Sequence, residues 1–130
     1  MRHPYTAIAS DGRLVEPGDG HPHPRWYGTF PRVLGHCVRD QGVLTLPEAV
    51  RKMTSLPAGR MGLLERGEIR DGWFADLTLF DPARVRDLAT FTEPHQYPAG
   101  IPFVLVNGIL TVDEGHFKPV RAGMVLRKSQ

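Results

Sequence analysis

Asn107-Gly108, set between the apolar runs Phe103-Val104-Leu105-Val106 and Ile109-Leu110-Thr111-Val112, constrains this chain more than any other pair in it. Both residues of a two-residue turn between paired strands need positive φ, which asparagine and glycine tolerate and most residues do not. The spacing therefore predicts an antiparallel hairpin. Upstream, Ala75-Asp76-Leu77-Thr78-Leu79-Phe80 alternates as a strand does, between the turn Arg70-Asp71-Gly72 and the stop Asp81-Pro82. Residues 82 to 102 read mostly as loop, ending in the proline-punctuated stretch from Glu93 to Pro102, and a last strand is expected over Met124-Val125-Leu126.

The first half has a different rhythm. Thr6-Ala7-Ile8-Ala9 reads as a brief buried strand, and Asp11-Gly12 as its abrupt stop. Such a strand holds a carboxylate at its carboxyl end, which in a barrel of parallel strands is where chemistry is mounted. Asp-Gly is equally a common turn pair, so the residues alone also allow an ordinary bend at Asp11. A loop rich in Gly, Pro and His follows, and its prolines push His21 and His23 toward extended backbone. A helix is expected from near Thr29, with Pro31 in its first turn and Gly42 at its end. Phe30, Val33, Leu34, Cys37 and Val38 share its buried face, which makes Cys37 a structural thiol. Thr45-Leu46-Pro47-Glu48 is a capping box opening a second helix, and a third runs from about Ser55 through Met61, closed by Gly62. Helices ahead of an all-β end divide the chain near residue 63, into 1–62 and 63–130.

A hydrophobic fraction of 41% and a charged fraction of 23% are those of a folded globular protein. The apolar runs are too short to cross a bilayer, and no charged-then-apolar leader precedes the first strand, so no membrane partner is expected. A formal charge of +2, spread without a basic block or interleaved aromatics, argues against a nucleic-acid partner. The single cysteine, Cys37, excludes an internal disulfide and makes a reducing cytoplasm the expected compartment. Among six histidines, His21 and His23 lack a convincing third ligand, and zinc sites usually need three or four; no metal site is expected within the chain.

Ser10-Asp11-Gly12, His21-Pro22-His23-Pro24-Arg25 and the string from Tyr27 to Gly35 resemble the C-terminal part of the D-aminoacylases. These are the N-acyl-D-amino-acid deacylases of the amidohydrolase superfamily. The likeness continues, in colinear order, through the string from Arg51 to Ala58, Gly72-Trp73-Phe74-Ala75-Asp76-Leu77, Pro94-His95-Gln96-Tyr97-Pro98 and Val104-Leu105-Val106-Asn107-Gly108. It implies an α/β fragment: the last strand and outer helices of a (β/α)8 barrel, then the C-terminal half of a small β-sandwich. Residues 4 to 11 would be the eighth barrel strand, residues 1–62 the tail of the catalytic barrel, and residues 63–130 the sandwich portion.

The resemblance also implies chemistry. Asp11 matches the superfamily's strand-eight aspartate, the general base on metal-bound water and then the acid toward the departing amine. Zinc is the implied cofactor, with its His and Cys ligands upstream of this chain, and an N-acyl-D-amino acid is the implied substrate. A zinc ion lowers the pKa of bound water to roughly 7, and one nearby carboxylate can carry the proton to nitrogen. His21 and His23 follow the aspartate, whereas the superfamily's metal-binding His-x-His pair follows its first strand, so no metal role is carried over to them. His23 and Arg25 are candidate substrate contacts instead. Arg25 could grip a substrate carboxylate bidentately or pack over Trp26 and Tyr27. Alone, the chain is expected to be inactive and to need the missing amino-terminal barrel portion, or self-association, to cover its strand edges. The alternatives are a non-catalytic truncated module acting in binding or oligomerisation, and a related amidohydrolase acting on another amide or cyclic imide.

Overall fold

The structure is a computed structural model that describes residues 1–16 and 18–127. Helix α1 spans Arg25–Arg32, a π-helical segment Val33–Asp40 continues it, and α2 (Leu46–Met53) and α3 (Ser55–Met61) follow. Strands β1 (Leu77–Leu79), β2 (Phe103–Val106), β3 (Ile109–Asp113) and β4 (His116–Phe117) form one antiparallel sheet in the order β1-β2-β3-β4.

Helix α1 starts earlier than Thr29. Pro24 occupies the cap position with φ −52°, and the His23 imidazole Nδ1 accepts the Arg25 N–H at 3.0 Å, taking the place of a capping side chain. Pro31 therefore lies inside the helix rather than in its first turn. Proline gives no N–H to the preceding turn and crowds its carbonyl. Just past it the winding loosens into the π form, which closes with Gln41 N–H donating to His36 O at 3.0 Å. Gly42 follows with φ +60°, as its position predicts. Val33 and Leu34 are buried on the expected face, while Cys37 is only half-buried and Phe30 is exposed.

The capping box at α2 is made on one side only. Thr45 Oγ1 accepts the Glu48 N–H at 3.4 Å, but the Glu48 carboxylate is held by Arg51 and Lys52 instead of turning back. The Arg51 hydrogen bonds at 2.9 Å, with help from Lys52, hold that carboxyl down to about 2. Val33, Leu44 and Ala49 form a buried core, with Ile8, Val38, Val43 and Met53 packed against it. Gly62 closes α3 in the left-handed conformation, φ +68°.

Two of the expected strands are absent. Residues 6–9 form no ladder; Ile8 instead donates its N–H to the Lys52 carbonyl of α2 at 3.1 Å. No other strand lies beside this segment among the described residues, so a helix end supplies its partner. Met124–Leu126 is likewise irregular; the tail is fastened just ahead of it, where Asn107 Nδ2 donates to Ala122 O at 2.7 Å. The hairpin forms as predicted, with φ +49° at Asn107 and +79° at Gly108. Glu114-Gly115 repeats that turn, φ +49° and +81°, and adds the short β4, which the alternation did not reveal. Strand β1 is shorter at both ends than its alternating run, and Asp76, just ahead of it, turns its carboxylate to the hairpin. It accepts the Asn107 N–H at 2.8 Å and pairs with Arg66, a buried guanidinium that also lies 4.1 Å over the Phe74 ring.

Between helices and sheet runs the segment 81–102, anchored by Val85, 1% exposed. It lies against glycines. A Cβ on Gly28 would stand 2.9 Å from Asp87 Cβ, and one on Gly35 2.5 Å from Val85 O. Arg39 Nη1 also donates to that carbonyl, at 2.6 Å. Gly35→Ala should therefore cost about 1–3 kcal/mol in denaturant unfolding, as overpacking against backbone does. An unchanged denaturation midpoint would show that this seam gives way freely.

Candidate active site

The segment leading to Asp11 is tied before the aspartate is reached. Ile8 packs on the core and hydrogen-bonds α2, and Gly12 N–H donates to Ser10 Oγ at 3.2 Å. Asp11 itself takes φ +50°, a left-handed conformation that aspartate tolerates better than most residues. Strained backbone of this kind gathers at functional positions. Its side chain is 85% exposed and its Oδ2 accepts Arg25 Nη2 at 2.7 Å, while Arg25 Nε donates to the Asp11 carbonyl at 3.4 Å. The guanidinium of Arg25 is thus turned to Asp11. It stacks on neither Trp26 nor Tyr27; the cation–π pairs among the described residues are Arg66 with Phe74 and Arg70 with Trp73.

His23 stands beside this pair. Its Nδ1 accepts the Arg25 N–H, so the neutral ring carries its proton on Nε2. Its ring meets Phe91 edge-on, centroids 5.0 Å apart. A groove of about 430 Å³ opens here, lined by His23, Arg25, Thr29, Arg32, Asp87 and Phe91 among others. Arg32 on its wall pairs with Asp87 at 3.1 Å.

Two further histidines join the site loop to the segment 91–97. His21 Nε2 lies 2.6 Å from the Phe91 carbonyl and must donate to it. His95 Nε2 lies 3.3 Å from Gly20 O, so its Nδ1 is bare and accepts the Tyr27 hydroxyl at 3.0 Å. Tyr97 completes the cluster with its ring edge-on to Tyr27, 5.5 Å between centroids. Neither His95 nor Tyr97 stood out as a site residue in the sequence, since a contact across this many residues leaves no local pattern; the signal that could have found them was their place in the family-like string Pro94-His95-Gln96-Tyr97-Pro98. Trp26, whose backbone lies close to Gly12, buries its Nε1 without a partner.

No group of three or more His, Cys, Asp or Glu among the described residues is placed to hold a metal ion. Nor is any helix among them long and apolar enough to cross a membrane. The arrangement can hold one carboxylate beside one guanidinium and one imidazole, at the edge of a groove.

A family model described as "Amidohydrolase family" matches residues 1–112. The D-aminoacylase of Alcaligenes xylosoxydans xylosoxydans is 52% identical over 124 residues, which cover 95% of this chain and 25% of that protein. A solved D-aminoacylase, studied for its binuclear metal centre, superposes with a TM-score of 0.87 at 51% identity, covering 94% of this chain and 25% of that one. N-acyl-D-glutamate deacylase from Bordetella bronchiseptica, solved with zinc and a phosphonate mimic of the tetrahedral intermediate, superposes at 0.78 with 47% identity, covering 84% and 22%. The chain thus spans about a quarter of the length of the relatives it matches.

Burial, then the neighbouring Tyr97, raises the Tyr27 phenol above its ordinary 10.0. A folded-state pKa raised in this way contributes stability that is whole below the unfolded value and is lost as pH climbs through the folded one. In an alkaline absorbance titration one of the three tyrosines should ionise after the others. The late component should vanish in Tyr27→Phe; its survival in that variant would assign it elsewhere.

Proposed function

This chain belongs to the amidohydrolase family, and on that premise we propose that it is the C-terminal portion of a zinc-dependent hydrolase converting N-acyl-D-amino acids to D-amino acid and carboxylate. The substrate class rests on the relatives, a D-aminoacylase and an N-acyl-D-glutamate deacylase. The observation that carries the reading is the pairing of Asp11 with Arg25, fourteen residues apart in sequence and 2.7 Å apart in space, Arg25 itself lining the groove.

Amide hydrolysis must take a proton from the attacking water and give one to a poor leaving nitrogen. Asp11 is the carrier in this reading: one Oδ accepts the first proton and returns it to the departing amine. Arg25 uses only Nη2 and Nε on Asp11, and a guanidinium has further donors for a substrate carboxylate. His23, with its proton on Nε2, can donate to a substrate oxygen. Among the described residues no group of three or more potential ligands is placed for zinc, and this reading assigns the ligands to other segments of the enzyme. When bound, the metal supplies water that is reactive near neutral pH.

The same reading places residues 1–62 as the tail of the catalytic barrel and 63–130 as the C-terminal share of a β-sandwich. The exposure of Leu14, Ile69, Phe117 and Val125 supports a covering layer, from the amino-terminal barrel portion or from self-association. Without that layer and its metal ligands the chain turns nothing over. A single cysteine suits a reducing cytoplasm.

Grafting the chain in place of the matching C-terminal quarter of D-aminoacylase tests the proposal. The chimaera should release D-amino acid from an N-acyl-D-amino acid, the chain alone should not, and Asp11→Asn should lower kcat by about 10²–10⁴-fold. A folded chimaera that is inactive, or one whose rate survives Asp11→Asn, would falsify the assignment.

A further inference from the structure

The last turn of helix α2 carries a lysine with no exposure at all: Lys52 is 0% exposed. A buried ammonium is tolerable only where its protons are taken up. Here there are three acceptors: His3 O at 2.5 Å, Thr6 O at 3.1 Å and Glu48 Oε1 at 3.4 Å. Two of the three belong to the segment that ends in Asp11. The same helical turn tightens the hold. Lys52 O accepts the Ile8 N–H at 3.1 Å, and Arg51 Nη2 donates to Pro4 O at 2.7 Å. The backbone of residues 3–8, which pairs with no strand among the described residues, thus finds its partners on α2.

We infer that Lys52 is a positioning residue for Asp11: its ammonium, by gripping the His3 and Thr6 carbonyls at the end of α2, sets where the chain delivers the Asp11 carboxylate. An apolar side chain of similar length would fill the same volume, yet leave the Thr6 carbonyl without the ammonium and the His3 carbonyl with only the Thr6 N–H, 3.1 Å away. Burying a charge is unfavourable in itself, and what it secures here is a defined position for an irregular segment. Displacement of residues 3–8 reaches Asp11 because the intervening chain is short and held at both ends, by Ile8 in the core and by Arg25 on the carboxylate. A misplacement of about 1 Å at a reacting group can cost about 10²-fold in rate. The inference rests on Asp11 as the proton carrier.

The test uses the D-aminoacylase chimaera carrying this chain. Lys52→Met should raise amide exchange in residues 3–12 about tenfold or more while leaving the β2–β3 hairpin protected. It should lower kcat about 10–100-fold with KM within about twofold, because the substrate's own contacts survive. Lys52→Arg, which keeps the charge and the donors, should recover most of the loss. Faster exchange without a change in kcat would make Lys52 purely structural and overturn the inference. So would exchange rising equally in the hairpin, or a loss appearing in KM alone. If Lys52→Met does not fold, Lys52→Gln, which can still donate to one carbonyl, serves in its place; failure of both to fold would assign the residue to core stability and likewise overturn it. Asp11→Asn, run alongside, separates this outcome from failure of the functional reading: full activity there removes Asp11 from the chemistry whatever Lys52 does.

Discussion

A backbone that enters a folded protein without a neighbouring strand still has to satisfy its carbonyls and N–H groups. Residues 3–8 meet that requirement on the end of α2, through the Lys52 ammonium, the Lys52 carbonyl and the Arg51 guanidinium. Much else depends on it. Ile8 reaches the core only because the segment is held there, and Asp11 stands where it does because Ile8 and Arg25 fix the chain on either side. The Glu48 carboxylate, kept ionised by Arg51 and Lys52, balances the charge this arrangement buries.

The second half solves the same problem with a different set of groups. Arg66, almost fully buried, pairs with Asp76, donates to Asn107 Oδ1 at 2.6 Å and lies over Phe74. Asn107 passes the connection on to Ala122. One turn residue thereby serves three purposes: it takes the positive φ of the hairpin, receives the Arg66 hydrogen bond and fastens the tail. Helices and sheet meet through Val85, whose backbone fits against Gly35 and Gly100 closely enough that no side chain could stand there. That seam brings Phe91 and His95 back to His23, Tyr27 and Gly20, which is how a loop from the second half comes to wall the groove of the first.

Legibility in the sequence followed the range of the forces involved. The Asn107-Gly108 turn, the start of α2, both ends of α3 and the stop at Gly42 were plain, because each is set by the local dihedral and capping needs of a few residues. The earlier start of α1 was not, since histidine is an unusual cap and its ring works here only because Pro24 holds the turn. The strands expected at 6–9 and 124–126 failed for a common reason. A short apolar run reports a preference for extended backbone, but a ladder also needs a partner strand; beside residues 6–9 stands the end of α2, and the tail is held ahead of 124, at Ala122, by Asn107. Asp11, His23 and Arg25 were singled out by their spacing and their likeness to the D-aminoacylases. Which of them touch, and the recruitment of His95 and Tyr97, came from the packing of distant segments.

From its residues alone, then, the chain declares its turns, two of its helices and the family to which its motifs belong, since these depend on neighbours in sequence. Only the tertiary structure decided that Arg25 would pair with Asp11 rather than stack on Trp26, and that the buried Lys52 would hold the segment leading to it. Charged groups with long, flexible stems choose partners by what comes within reach once the backbone is folded. No pattern along the chain encodes that reach.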